Sequence, residues 1–129
     1  MSSLVHPIYD KERLQAEDSV LIQNLNQLLM TTHGTEQVLD SFYFETQSWL
    51  YTNGMMFSNE HLNLNYAVGV DATHKCTYTL YANHNYLGQL SFARRYKFES
   101  EEIEIIEHLI SVLLAPLQQA IACHETCSL

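Results

Sequence analysis

The stretch that decides the fold is LGQLSFARRYKFESEE, residues 87–102. Leu90 and Phe92 alternate with polar or small residues, and this period of two predicts a half-buried β-strand. Ser100 is the predicted cap of a helix, whose first glutamates suit the positive end of a helix dipole. Strand and helix are joined by a basic turn that contains three cations, Arg94, Arg95 and Lys97. The turn is predicted to pair locally with the glutamates, as a junction between strand and helix.

Two helices are predicted upstream, over about residues 11–50. The first carries leucines spaced for an amphipathic helix with a coiled-coil-like seam, namely Leu14, Leu21, Leu25 and Leu28. Gly34 is predicted to end it, and Thr35 is the predicted cap of the second helix. The predicted core face of the second helix consists of Val38, Leu39, Phe42, Tyr43, Trp49 and Leu50.

Short segments rich in Tyr, Phe, Val and Thr follow, over about residues 54–95. In KCTYTLYA, residues 75–82, Cys76, Tyr78 and Leu80 fall on one face and Thr77 and Thr79 on the other. Alternation of this kind, with short connections, predicts half-buried antiparallel strands. Gly88 is predicted to allow a bulge or a close backbone approach.

The last helix is predicted over about residues 100–123. Its apolar residues repeat at three and four, which predicts a packing face and an additional seam. Pro116 is predicted to interrupt or kink the helix, because proline lacks the N–H that would bond to the Val112 carbonyl. The whole chain, residues 1–129, is predicted to be one α+β domain, with an antiparallel sheet of about four to six strands packed against helices.

Composition narrows the function classes. The net charge is −9, and only six residues are Lys or Arg, so a broad phosphate-binding face is not expected and nucleic-acid binding is not predicted. The N-terminus lacks the pattern of a signal peptide, and no uninterrupted apolar run reaches membrane length. Three cysteines without a disulfide pattern favour a reducing cytoplasm. We therefore expect a cytoplasmic protein without membrane contact.

Over about residues 86–121 the chain resembles the C-terminal end of a GAF domain. The matching positions are Leu87, Gly88, Leu90, Phe92, Arg94, Phe98, Ser100, Glu101 and Glu102. The resemblance implies a small antiparallel-sheet sensory domain of a bacterial signalling protein. Such domains bind small molecules or only dimerise, and they often precede output modules such as diguanylate cyclases of c-di-GMP signalling.

The predicted function is therefore a non-catalytic sensory or regulatory domain, acting as a homodimer through its first and last helices. The predicted seam consists of Leu21, Leu25, Leu28, Ile106, Ile110, Leu113 and Leu117. If a ligand binds, its site is expected on the aromatic sheet face, at Phe57, Tyr66, Tyr78, Tyr81 and Phe92, with Met56 beside them. The alternative for the same aromatic residues is a plain core.

Two alternative hypotheses for the function of the chain remain open. One is a ligand-free dimerisation module. The other is an enzyme, a thiol-dependent reductase of free methionine sulfoxide, for which Cys76 stands alone among the strands. Cys123 and Cys127 share a helix face and invite a zinc site, but further ligands would have to come from elsewhere. We predict two incidental thiols there, and no catalytic residue, metal or cofactor.

Overall fold

The computed structural model describes residues 22–47 and 50–127, with side chains as far as Cys123. Within this part the helices are α1 (residues 22–30), α2 (Thr35–Thr46) and α3 (Ser100–Cys127). The strands are β1 (Gly54–Asn59), β2 (Leu64–Gly69), β3 (His74–Ala82) and β4 (Asn85–Arg94), with a 3₁₀ turn at Glu60–Leu62. The α+β class is confirmed, and the strands occupy almost the whole predicted range.

The four strands form one open antiparallel sheet in the order β2-β1-β4-β3. Phe57 in the central strand β1 pairs with Tyr66 on one side and Leu90 on the other, and Leu90 pairs with Tyr78. Residues that pair across strands point to the same side of a sheet. The face that carries Phe57, Tyr66, Tyr78 and Leu90 is called the inner face here, and the opposite one the outer face.

Helices cover the inner face and form the core with it. Phe42 of α2 lies 6.3 Å from Phe92 of β4, measured between ring centroids. Leu113 and Leu117 of α3 are fully buried. The outer side chains of β1, β2 and β3, in contrast, are mostly exposed. No described element covers the outer face, so within the described residues helices pack on one side of the sheet only.

Two predicted helix caps are wrong by one residue. The cap position of α2 belongs to Gly34, which has a φ of 94°, a value that glycine adopts readily and threonine rarely does. Thr35 is therefore already helical, and its buried Oγ1 has no hydrogen-bond partner in the described structure. Likewise α3 begins at Ser100, so Glu99 precedes it, and the Glu99 N–H donates to Glu102 Oε1 at 2.9 Å. That bond is the return half of a capping box.

The prediction for Gly88 is confirmed. Its φ is 144°, and the pairing register shifts at the facing residues Leu80 and Tyr81, as at a bulge. A Cβ on Gly88 would lie 2.5 Å from the Ser58 carbonyl oxygen and 2.6 Å from Cζ of Phe57. Glycine is needed at this position because the neighbouring backbone and the Phe57 ring occupy the space of a side chain.

The helix α3 continues through Pro116, contrary to the predicted interruption, and extends to Cys127 rather than 123. Among the described residues it is the one helix long and apolar enough to cross a membrane, over Ser100–Cys123, with a mean hydropathy of 1.5. However, 44% of that apolar window is buried inside the protein, and a core helix passes the same test. The observation is weak evidence for a membrane span.

Five of the seven residues of the predicted dimer seam lie in the core of the single chain. Leu25, Ile106, Ile110, Leu113 and Leu117 are all buried, and Leu28 is 37% exposed. Leu21 falls outside the described residues, as do Leu14 and Trp49. The chain's own sheet and helices therefore account for the burial of this seam, and dimerisation stays a prediction.

Candidate ligand-binding face

A groove of about 500 Å³ runs across the outer face. All four strands contribute to it, because their outward side chains lie in rows set by the pairing register. Most of these side chains are small or neutral and polar: Met56, Ser58, Asn65, Ala67, Thr77, Gln89 and Ser91. The groove therefore has the chemistry of a hydrogen-bonding surface with a small apolar floor, without a concentration of charge.

The register sorts the polar groups into one row. Asn65 pairs with Ser58, Ser58 with Gln89, and Gln89 with Thr79, so two amides and two hydroxyls stand side by side across the sheet. The next row contains Ala67, Met56, Ser91 and Thr77. In that second row the Thr77 and Ser91 hydroxyls bond to each other at 2.7 Å. The first row, Asn65, Ser58, Gln89 and Thr79, is called the polar row here. The second row contains fewer polar groups and lies beside it.

The polar row has unused hydrogen-bonding capacity. Within the described structure the side chains of Ser58, Asn65 and Gln89 have no hydrogen-bond partner. Asn65 and Gln89 are exposed, and Ser58 is half-buried. Each amide offers two N–H donors and one carbonyl acceptor. A ligand in the groove would therefore meet donors and acceptors that no protein bond engages.

A smaller pit of about 70 Å³ adjoins the groove and shares Met56, Ala67 and Ser91 with it. Its floor is formed where Gly54 pairs with Gly69. The chain after β2 folds back over Gly54, since a Cβ there would lie 2.3 Å from the Val70 carbonyl oxygen. The two glycines leave this end of the outer face without side chains, and the depression results.

The cation nearest the groove is already paired. Lys75 lines the groove, and its Nζ lies 3.0 Å from Asp71 Oδ1. The Lys75 ammonium holds the pKa of the fully exposed Asp71 carboxyl below its usual value, mainly through this hydrogen bond. The pair leaves the groove close to neutral, although the chain as a whole carries a charge of −9.

The predicted ligand-binding residues lie mostly on the inner face. Phe57 and Phe92 are buried beneath the helices, and Tyr66 and Tyr78 are half-buried on the same face. The structure thus brings four of the five together, packed against the core. Tyr81 lies apart on the outer side, 56% exposed, and its ring contacts Tyr86 at 5.7 Å between centroids. Met56, named beside them, lines the groove. Ligand binding by these residues stays a prediction.

At the end of β4, Arg94 joins the sheet to α3. The side chain of Arg94 is 8% exposed, and its two terminal nitrogens donate to the Glu102 carboxylate at 2.5 and 2.9 Å. Arg94 also donates to the carbonyls of Tyr96, Lys97 and Tyr51, and its guanidinium lies 4.5 Å from the centroid of the Phe98 ring. The predicted local pairing between the basic turn and the helix start is confirmed for Arg94, which is buried, while its partner Glu102 is half-buried.

Titratable groups on the inner face favour their neutral forms. Burial raises the pKa of Tyr78 to about 12. The pKa of Tyr66 is raised further, first by burial and then by the hydrogen bond that its hydroxyl donates to Asp40. Burial also raises the pKa of the Cys76 thiol, against a smaller opposing effect of Arg94. A thiol nucleophile is favoured by a lowered pKa, so the burial of Cys76 acts against the thiolate form.

No group of three metal-ligating side chains is arranged to hold a metal within the described residues. The prediction for the tail falls largely outside them, because the side chains from His124 onward, including Cys127, are not described. The incidental role predicted for these thiols therefore stays a prediction.

The residues of the polar row were missed as site candidates in the sequence. The signal was nonetheless present, since the period of two that puts Leu90 and Phe92 inward puts Gln89 and Ser91 outward. The prediction rested on aromatic residues, and most of these belong to the inner face and not to the outer face that carries the groove. Asn65 and Ser58 could be added only once the pairing of β1 with β2 was known.

Comparison of the chain with protein-family models, with curated proteins and with solved structures finds no match.

Proposed function

We propose that the chain is a non-catalytic sensory or regulatory domain of the GAF-like class, from a bacterial signalling protein of the cytoplasm. The observation that carries the proposal is the division of the sheet. Helices cover one face, and the other carries a groove of about 500 Å³ whose polar side chains Ser58, Asn65 and Gln89 have no hydrogen-bond partner among the described residues. A sensory domain needs a surface that a ligand can reach and an element that responds to the ligand. Here the sheet lies between the groove and helix α3.

The proposed route of the signal is strand β4. Gln89 and Ser91 of β4 face the groove, while Leu90 and Phe92 of the same strand pack in the core below. At its end Arg94 holds Glu102 in the first turns of α3. A ligand that shifts β4 would change the position or stability of the start of α3, if it binds the two arrangements with different affinity. The helix would then pass the change to an output module, for which the resemblance favours a diguanylate cyclase.

A dimer through α3 would use a face other than the predicted seam. Side chains at Ile105, His108, Val112, Ala115 and Gln119 repeat at three and four and are half-buried or exposed. The half-buried apolar residues Ile105 and Val112 lie seven positions apart, which is the heptad spacing of a coiled-coil contact, and the row is offset from the buried core row. It supports the proposed homodimer, and it equally supports the second candidate function, a ligand-free dimerisation module.

A thermal-shift panel of nucleotides, amino acids, sugars and other metabolites tests the proposal. A ligand that binds the folded state alone raises the melting temperature. We expect at least one compound to do so for the native chain and to lose its effect in Ser91→Trp, which fills the groove. The matched control is Gln37→Trp, because Gln37 is exposed on α2 and does not line the groove.

Two results would contradict the sensory proposal. The first is a complete panel without a shift, accompanied by concentration-dependent dimerisation in sedimentation, which would favour the ligand-free module. The second is a compound that stabilises native chain and Ser91→Trp equally, because its site would then lie outside the groove.

A further inference from the structure

We infer that the outer-face groove binds a short neutral carbohydrate or a related polyol. This inference deepens the proposed function and rests on it, since it assumes that the groove is the ligand side. It is carried by three features of the outer face as the described residues form it: neutral polar groups without a protein hydrogen bond, a cation that is paired with a neighbouring carboxylate, and an aromatic edge.

The polar row supplies groups that match sugar hydroxyls. Asn65, Ser58 and Gln89 stand on three neighbouring strands, and such strands are spaced about 4.8 Å apart. Because each amide both donates and accepts, it can bond to two hydroxyls of one ring. The side chains need no rearrangement of protein hydrogen bonds, since none engages them within the described structure.

The charge of the groove disfavours ionic ligands. A phosphate or carboxylate group calls for an arginine or lysine that is free to pair with it. Among the described lining residues the one cation is Lys75, which pairs with Asp71 at 3.0 Å. The same residues include no carboxylate that could receive a cationic ligand. A neutral molecule rich in hydroxyls has the complementary chemistry.

An aromatic group borders the polar row. Tyr81 lies two residues beyond Thr79 on the edge strand β3 and pairs with Tyr86. The rings of Tyr86 and His61 meet edge to face, at 5.8 Å between centroids. Tyrosine combines an apolar ring with a polar tip, and the C–H faces of a sugar ring pack well on such a surface. The site would therefore be polar along the polar row and apolar near the turn that joins β3 to β4.

The test is a titration of the full chain, labelled with ¹⁵N, with glucose, maltose and cellobiose as probes and with AMP and glutamate as ionic comparisons. We expect at least one sugar to shift the side-chain amide signals of Asn65 and Gln89 in a saturable manner. Asn65→Ala and Gln89→Ala should each weaken the affinity about fivefold, the effect of one neutral hydrogen bond. Gln37→Ala, which removes an exposed amide of α2 outside the groove, should leave the affinity unchanged.

The inference is overturned if no sugar shifts these signals, or if Asn65→Ala and Gln89→Ala bind a sugar as well as the native chain does. If AMP or glutamate saturates the same amides and the sugars do not, the carbohydrate inference fails while the proposed sensory function stands. If neither these probes nor the metabolite panel engages the groove, the inference and the proposed function fail together.

Discussion

Arg94 at the end of the last strand and Glu102 in the first turns of the last helix form a bidentate ion pair, with nitrogen–oxygen distances of 2.5 and 2.9 Å. The two side chains are 8% and 16% exposed. Because Glu102 also accepts from the Glu99 N–H, one carboxylate both caps α3 and joins it to the sheet. The position of the first turn of α3 therefore depends on the position of Arg94 at the end of β4.

Removal of one partner from this pair is expected to be costly. A buried charge that loses its partner typically costs about 3–5 kcal/mol, and Glu102→Gln should reach the lower part of that range, since it keeps one hydrogen-bond acceptor. Urea denaturation measures the change in the free energy of unfolding. Lys75→Ala serves as the control, because it breaks an exposed pair with Asp71, worth about 0–1 kcal/mol. Equal effects of the two substitutions would mean that the Arg94 pair has no special structural role.

Gly88→Ala is expected to destabilise the sheet by about 2–4 kcal/mol, since the new methyl group would meet both strain and a steric clash. The φ of 144° disfavours an L side chain, and the nearest atoms are the Ser58 carbonyl oxygen and the Phe57 ring. Thermal unfolding followed by circular dichroism gives the loss. The double variant Gly88→Ala/Phe57→Leu should regain only part of it, because the backbone oxygen remains. A neutral effect of Gly88→Ala would contradict the described approach of β1 to β4.

Alkaline unfolding should depend on the inner-face tyrosines. The folded-state pKa of Tyr78 is raised to about 12, mainly by burial, above an unfolded value of about 10. A raised pKa means that the stabilisation is fully present below pH about 10 and is lost as the pH rises through the folded value. Tyr78→Phe should therefore flatten the loss of stability above pH 10. An identical profile for the native chain and Tyr78→Phe would refute the assignment.

Cys76 should react slowly with thiol reagents. Burial raises its pKa, so the thiolate fraction at pH 8 is below that of an unfolded cysteine. The measurement uses Cys123→Ser/Cys127→Ser, in which Cys76 is the remaining thiol, and compares its rate with Ellman's reagent in the folded state and in urea. A folded-state rate faster than the rate in urea would reopen the thiol-reductase alternative.

The sequence predicted the elements better than their surroundings. Alternation in residues 75–82 and 87–94 located both strands and their faces, because a strand repeats every two residues whatever covers it. Arg94 shares the parity of Leu90 and Phe92, so its inward position was also readable. The sequence did not show which element packs against each face of a strand or helix. Periodicity identified Ile106 and Leu113 as one apolar row but could not distinguish a chain's own core from a partner's helix.

The same limit explains the shift of the candidate site from one face to the other. Aromatic side chains mark a surface that avoids water, and here α2 and α3 cover that surface, so Phe57 and Phe92 are buried in the core. The open face carries neutral residues such as Asn65 and Gln89, which a strand tolerates on any exposed surface. Their convergence into one row depends on the strand order, which crosses from β1 to β4. Nothing local in the sequence encodes that crossing.

Hydrogen exchange of the backbone amides of residues 100–107, measured by mass spectrometry, tests the central claim most directly. The full chain is compared with and without the panel compound that raises its melting temperature most. We expect the compound to change the exchange of these amides at the start of α3 in the native chain. Arg94→Lys loses the bidentate pair and should abolish that change, while the compound still binds. Unchanged exchange in the native chain, or an equal change in Arg94→Lys, would contradict the claim that Arg94 couples the outer face to the helix.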